Sequence, residues 1–133
     1  MNGQYSKKDM DSKLKSYKDL EIYQKAFDLA VKIREKTLKL PSPDRYEVGG
    51  QIRRSSQSTK DNIVEGYGRK RYKSDFIKFL VFSHSSNLEA KSQAEFIHLA
   101  YPEEGWDSIA QELDSLGIKI HHFLCYVEKN WKT

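Results

Sequence analysis

Apolar side chains recur along this chain at helical spacing, in four blocks separated by short polar connections. In residues 20–40 the polar side chains Glu21, Gln24, Lys25, Asp28, Lys32, Glu35, Lys36 and Lys39 share one sector of a helix. Leu20, Ile22, Tyr23, Ala26, Phe27, Leu29, Ala30, Val31, Ile33 and Leu38 fill an arc of about 200°, broken by Arg34, where one core-facing stripe needs little more than 100°. Pro41 and Pro43 stop this first helix. A second helix is expected from near residue 46 to Gly66 or Gly68, two glycines that fit a helix end. Its inward face reads Val48, Ile52, Ser55, Ser56, Thr59, Ile63 and Tyr67, small in the middle and large at the ends. Such a face lets a neighbouring backbone come close but supplies little hydrophobic drive.

Ser74 is a good N-cap for a third helix reaching about residue 100. That helix opens with Phe76, Ile77, Phe79, Leu80, Val81 and Phe82, interrupted only by Lys78, so apolar groups point to every side. A fourth follows from about residue 106 to 131, with Ile109, Leu113, Leu116, Ile120, Leu124 or Phe123, Val127 and Trp131 in a near-heptad stripe. That spacing suits the shallow crossing of a helix bundle. The fold expected is all-α, an antiparallel up-down-up-down four-helix bundle. Residues 1–18 are expected to be a flexible tail and residues 19–133 the bundle domain.

Helices one and three carry more apolar surface than a four-helix domain can enclose. Each large apolar side chain left in water forfeits roughly 1.5–3 kcal/mol, and such patches usually meet another protein surface. Self-association is therefore expected, with Ile22, Leu29, Ile33, Phe76, Ile77 and Leu80 as the candidate interface.

Composition narrows the class further. A hydrophobic fraction of 38% with 8 Tyr, 6 Phe and 2 Trp is enough for a small core and argues against disorder. Three prolines and seven glycines are few for an all-β chain of 133 residues. No run approaches the ~18 apolar residues of a membrane span, and the Lys-rich N-terminus lacks a signal peptide's apolar segment. A cytoplasmic protein with no membrane association is expected. The lone Cys125 excludes an intrachain disulfide and a cysteine-cluster metal site.

Net charge is a modest +4, but its distribution is uneven. Arg53, Arg54, Lys60, Arg69, Lys70, Arg71 and Lys73 crowd one stretch, against only Asp61 and Glu65. Glu103, Glu104, Asp107, Glu112 and Asp114 crowd another. The basic stretch is a candidate phosphate-contacting surface, with Tyr67 and Tyr72 interleaved as possible stacking groups. The same charges also fit ion pairs within the chain or between subunits. No catalytic constellation emerges. His84 and His98 sit about 21 Å apart on one helix, and adjacent His121 and His122 point in different directions. Cys125 has His121 one turn away but no oriented base or oxyanion donors. No enzyme activity, cofactor or metal is expected.

The stretches Asp19-Leu20-Glu21-Ile22-Tyr23-Gln24-Lys25-Ala26, Gln51-Ile52-Arg53-Arg54-Ser55-Ser56, Asn62-Ile63-Val64-Glu65-Gly66-Tyr67-Gly68-Arg69 and Ser74-Asp75-Phe76-Ile77-Lys78-Phe79-Leu80, with residues 86–93, resemble a bacterial family. It is the four-helix-bundle family named for proteins encoded in intervening sequences of 23S rRNA genes. The resemblance implies a ring-like homopentamer, distantly similar to the accessory protein of diversity-generating retroelements, a basic pentamer that binds nucleic acid and a reverse transcriptase. It carries over Gln51, Arg53, Arg54, Asn62, Glu65, Gly66 and Glu89 as motif positions. Two departures stand out: Lys91 replaces an acid often found there, and Ser55, Ser56 and Ser58 replace Ala and Val. The function expected is a non-enzymatic homo-oligomer that binds RNA or DNA through backbone phosphates. The alternative is an interaction scaffold for a protein such as a polymerase or reverse transcriptase.

Overall fold

Each apolar block folds as a helix in the computed structural model, which describes residues 15–132. The helices are α1 (Glu21–Thr37), α2 (Val48–Gly68), α3 (Lys73–Ala100) and α4 (Trp106–Asn130), with a single 3-10 turn, Tyr17–Asp19, ahead of them. No strand occurs among the described residues, and the arrangement is that of an all-α four-helix protein. None of these helices is long and apolar enough to cross a membrane.

The ends of the elements follow local chemistry. Ser16 and Asp19 form a capping box around the 3-10 turn, and the Tyr17 ring packs edge-on against Tyr23, with centroids 4.9 Å apart. Ordered structure thus begins before residue 19, because Tyr17 finds an aromatic partner on α1. The rest of the expected tail, residues 1–14, lies outside the described residues. α1 ends at Thr37, and the last turn tightens as Leu40 N–H donates to the Thr37 carbonyl ahead of Pro41. Ser74 does not cap α3. The Phe76 N–H already donates to the Tyr72 carbonyl, so the ladder begins at Tyr72 and Ser74 falls inside the first turn. Gly66 likewise lies within α2 rather than ending it. A Cβ there would meet Phe79 Cβ at 3.2 Å and Phe76 Cδ1 at 3.3 Å, so glycine lets α2 lie close on the opening of α3. The left-handed backbone is found instead at Gly105 (φ 83°), ahead of α4.

The core joins all four helices. Ile22, Leu29 and Ile33 of α1 meet Ile52 and Ile63 of α2, Phe76, Leu80 and Ile97 of α3, and the stripe from Ile109 to Val127 of α4. On α4, Phe123 takes the core position and Leu124 stays half-buried. Gly117 brings α4 against α3: a Cβ there would stand 2.8 Å from Nδ2 of buried Asn87, which donates to the Leu113 carbonyl. The small face of α2 forms a polar seam with α3. Ser83 Oγ donates to the Thr59 carbonyl (2.7 Å), Ser55 Oγ to Gln93 Oε1 (2.6 Å), and Ser58 Oγ pairs with Ser86 Oγ (2.9 Å).

Burial corrects the expected interface. Ile22, Leu29, Ile33, Phe76 and Leu80 are buried in this subunit's own core, and Ile77 packs against it. Five of the six are thus closed to a second copy, and Ile77 keeps only part of its side chain outside. The apolar surplus of helices one and three is carried by other residues: Phe27 and Val31 on α1, Leu38 just after it, and Val81, Phe82, Leu88, Phe96 and Leu99 on α3. Phe96 is 62% exposed and Leu99 81%. A helix with an apolar arc twice as wide as one interface buries half of it, and the sequence pattern alone does not say which half.

Candidate functional site

The basic stretch separates into three groups and a lone Arg54 once folded. Arg53 turns inward, with Nη1 donating to buried Thr37 Oγ1 (2.8 Å) and Nη2 to the Arg45 carbonyl (3.1 Å). It ties the start of α2 to the end of α1 and to their connection. Its guanidinium is therefore structural. Lys60 and Arg69 are held by acids. Lys60 Nζ lies 2.7 Å from Asp61, while Arg69 Nε lies 2.7 Å from Glu65, with Asp75 at 3.8 Å from its Nη1. The Glu65 carboxylate raises the Arg69 pKa above its ordinary value. Lys73 has a partner of its own at the start of α3.

The third group is Lys70 and Arg71, on the connection between α2 and α3. Lys70 Nζ sits 4.2 Å from the centre of the Tyr67 ring, and the Arg71 guanidinium 6.0 Å from that of exposed Tyr72. Neither forms an ion pair with an acid among the described residues. Cation–π contact orients such groups without neutralising them. Tyr67 is thereby engaged by Lys70 and packed on the core, which leaves Tyr72 as the exposed ring of the pair. The connection is anchored from just beyond α4: Trp131 Nε1 donates to the Lys70 carbonyl at 2.9 Å.

Arg54 belongs elsewhere. It lines an open polar groove between α2 and α3, with Gln51, Ser55, Ser58, Glu89 and Gln93, of about 480 Å³. Motif positions thus gather along one seam. Gln51 and Glu89 line the groove, Asn62 Nδ2 donates to the Ser58 carbonyl, Glu65 holds Arg69, and Gly66 admits α3. The polar face of α2 was the signal for this groove, but its α3 half is supplied from about forty residues along the chain. Two acids of the 103–114 segment, Glu112 and Asp114, are paired within the chain, and Glu104 is held through its backbone carbonyl. Lys32 pairs with Glu112 (3.1 Å), Lys91 with Asp114 (3.0 Å), and Lys36 donates to the Glu104 carbonyl. The lysine at position 91 thus gains an acid from α4, which raises its pKa.

A contact between helices escaped the spacing argument. His84 on α3 lies beside His121 on α4, with ring centroids 6.0 Å apart, and His121 Nε2 is 3.5 Å from Cys125 Sγ. No group of three or more His, Cys, Asp or Glu side chains among the described residues is placed to hold a metal ion. Burial, and then the neighbouring His121, lower the His84 pKa below the ordinary value of 6.5. Below that value the unfolded chain takes up a proton before the folded one, so the His84 contribution to stability is lost as pH falls. The urea midpoint should therefore decline between pH 7.5 and 5.5, and His84→Gln should flatten the decline. An unchanged slope in that variant would assign the effect to other groups.

Comparison with known proteins places this geometry in context. A family model described as 23S rRNA-intervening sequence protein matches residues 18–122. A crystal structure of a protein of unknown function from the S23 ribosomal protein family of Bacteroides thetaiotaomicron superposes with a TM-score of 0.69 at 21% identity. The match covers 77% of this chain and 94% of that one. At that identity the likeness shows a shared fold. No curated protein matches the sequence.

Proposed function

The chain belongs to the 23S rRNA-intervening sequence protein family, and from that premise we propose a non-enzymatic, antiparallel up-down-up-down bundle that assembles as a homo-oligomer and binds RNA or DNA through backbone phosphates. The observation that carries the nucleic-acid reading is the presentation of Lys70 and Arg71. Both cations stand on one short connection, over tyrosine rings and without an ion pair to any acid among the described residues. Polyanion binding needs cations whose charge is not already spent. The homopentamer implied by the family resemblance would bring five such connections into one assembly and multiply the phosphates contacted. The assembly reading rests on exposed Phe27, Val31, Val81 and Phe82, apolar groups that one subunit leaves in water.

Binding of a labelled single-stranded RNA should weaken linearly in log K against log salt, with a slope of about −0.7 per phosphate neutralised. Light scattering on the same sample should report more than one subunit. No retardation of RNA or DNA at low salt, with the oligomer intact, would remove the nucleic-acid reading. A monomer at micromolar concentration would remove the assembly. The scaffold reading is favoured by a different observation, exposed Leu88, Phe96 and Leu99 on the later part of α3. Capture of a polymerase or reverse transcriptase that survives nuclease treatment would support it.

A further inference from the structure

The groove between α2 and α3 has a chemistry different from the connection at their end. Arg54 and Glu89, both exposed, line it without pairing with each other or with any other charged group among the described residues. The Arg54 guanidinium lies over Gly50, where an added Cβ would come within 3.2 Å of Nη1. Gln93 is oriented by the bond that its Oε1 accepts from Ser55 Oγ, and its amide N–H groups donate to no other group among the described residues. The groove therefore offers a cation, a carboxylate and neutral amide and hydroxyl groups within about 480 Å³.

These features select a ligand. None of the lining side chains is aromatic, so no base has a ring to stack on. None is a large aliphatic group either, so the groove lacks the apolar pocket that anchors a protein partner. An ionised carboxylate only accepts hydrogen bonds, so a ligand whose anion sits on Arg54 is favoured beside Glu89 when it also brings a donor. A ribose-phosphate unit has both, a phosphate and a 2′-hydroxyl; a deoxyribose-phosphate unit has only the phosphate. We infer that this groove takes a ribose-phosphate segment of single-stranded RNA, Arg54 on a phosphate and Glu89 accepting from the 2′-hydroxyl, and that it discriminates RNA from DNA. The inference rests on the nucleic-acid reading of the Lys70–Arg71 connection. Arg54 and Lys70 are separated by roughly 24 Å along α2 and its C-terminal end, within the reach of one strand lying along the α2–α3 seam.

The test is fluorescence anisotropy of the full chain with one labelled 20-nucleotide uracil sequence in three forms: RNA, deoxyuridine DNA and 2′-O-methyl RNA. RNA should bind about tenfold more tightly than the other two, the worth of one hydrogen bond to a charged group. Glu89→Ala should bring RNA down to the DNA level and leave DNA binding equal or tighter. Arg54→Ala should weaken both. Glu89 is exposed on a helix and alanine is a good helix former, so the variant keeps the fold; circular dichroism checks this. Equal affinity of the wild type for all three ligands overturns the inference and leaves phosphate binding standing. So does an equal gain for all three in Glu89→Ala, which would make Glu89 a plain repulsive charge, or an RNA preference that survives the substitution. Binding to none of the three overturns both readings together.

Discussion

Phe76→Ala is expected to remove about 3–5 kcal/mol of stability, a large share of the roughly 5–15 kcal/mol typical of a single domain. Phe76 is fully buried and meets Phe123 and Trp131 edge-on, with centroids 5.8 and 5.2 Å away. Its surroundings have little freedom to collapse into the space left. Gly66 already brings the α2 backbone against it, and Trp131 is held by its bond to the Lys70 carbonyl. The cavity term should therefore lie near the top of its range. Urea unfolding should show the midpoint fall with little change in slope, and a loss below about 1 kcal/mol would show that the core repacks. Phe82→Ala offers the contrast. That ring is nearly half exposed in the single subunit, so its loss should cost the subunit little and register instead in the association equilibrium.

Simultaneous Lys70→Ala and Arg71→Ala substitutions should weaken binding of a single-stranded RNA about tenfold or more at low salt. The log–log salt slope should become shallower by roughly 1.4 for each subunit engaged. The change should be similar for every sequence tested, because phosphate contacts carry no base information. Neither side chain is part of the core, and the bond from Trp131 uses the Lys70 backbone, so melting should be nearly unaffected. Arg53→Ala should behave in the opposite way. It strips partners from buried Thr37 and from the Arg45 carbonyl, which lowers stability and leaves polyanion affinity nearly intact. If Arg53→Ala abolished binding in a folded protein while the double variant did not, the α2–α3 connection would be the wrong surface.

Local signals were sufficient for the helices and insufficient for their faces. Pro41, Pro43 and the 102–105 connection punctuate the chain strongly enough that helix limits fall within about three residues of their expected places. The N-cap at Ser74 failed because the hydrogen-bond ladder had already started at Tyr72. The facing of α1 and α3 was not legible, since both are apolar over more surface than one contact uses. Arg53 reads as one more cation in a basic run; only the approach of Thr37, from another helix, makes it a strut. His84 and His121 meet for the same kind of reason: their partnership depends on register between α3 and α4, which no spacing within either helix encodes.

The tether from Trp131 to Lys70 spans 61 positions. It therefore has a meaning for biosynthesis. A nascent polypeptide can expose the whole basic loop on emerging from the ribosome, but the indole that clasps it is made only after α4. The last anchor of the loop is therefore set only once α4 has been translated.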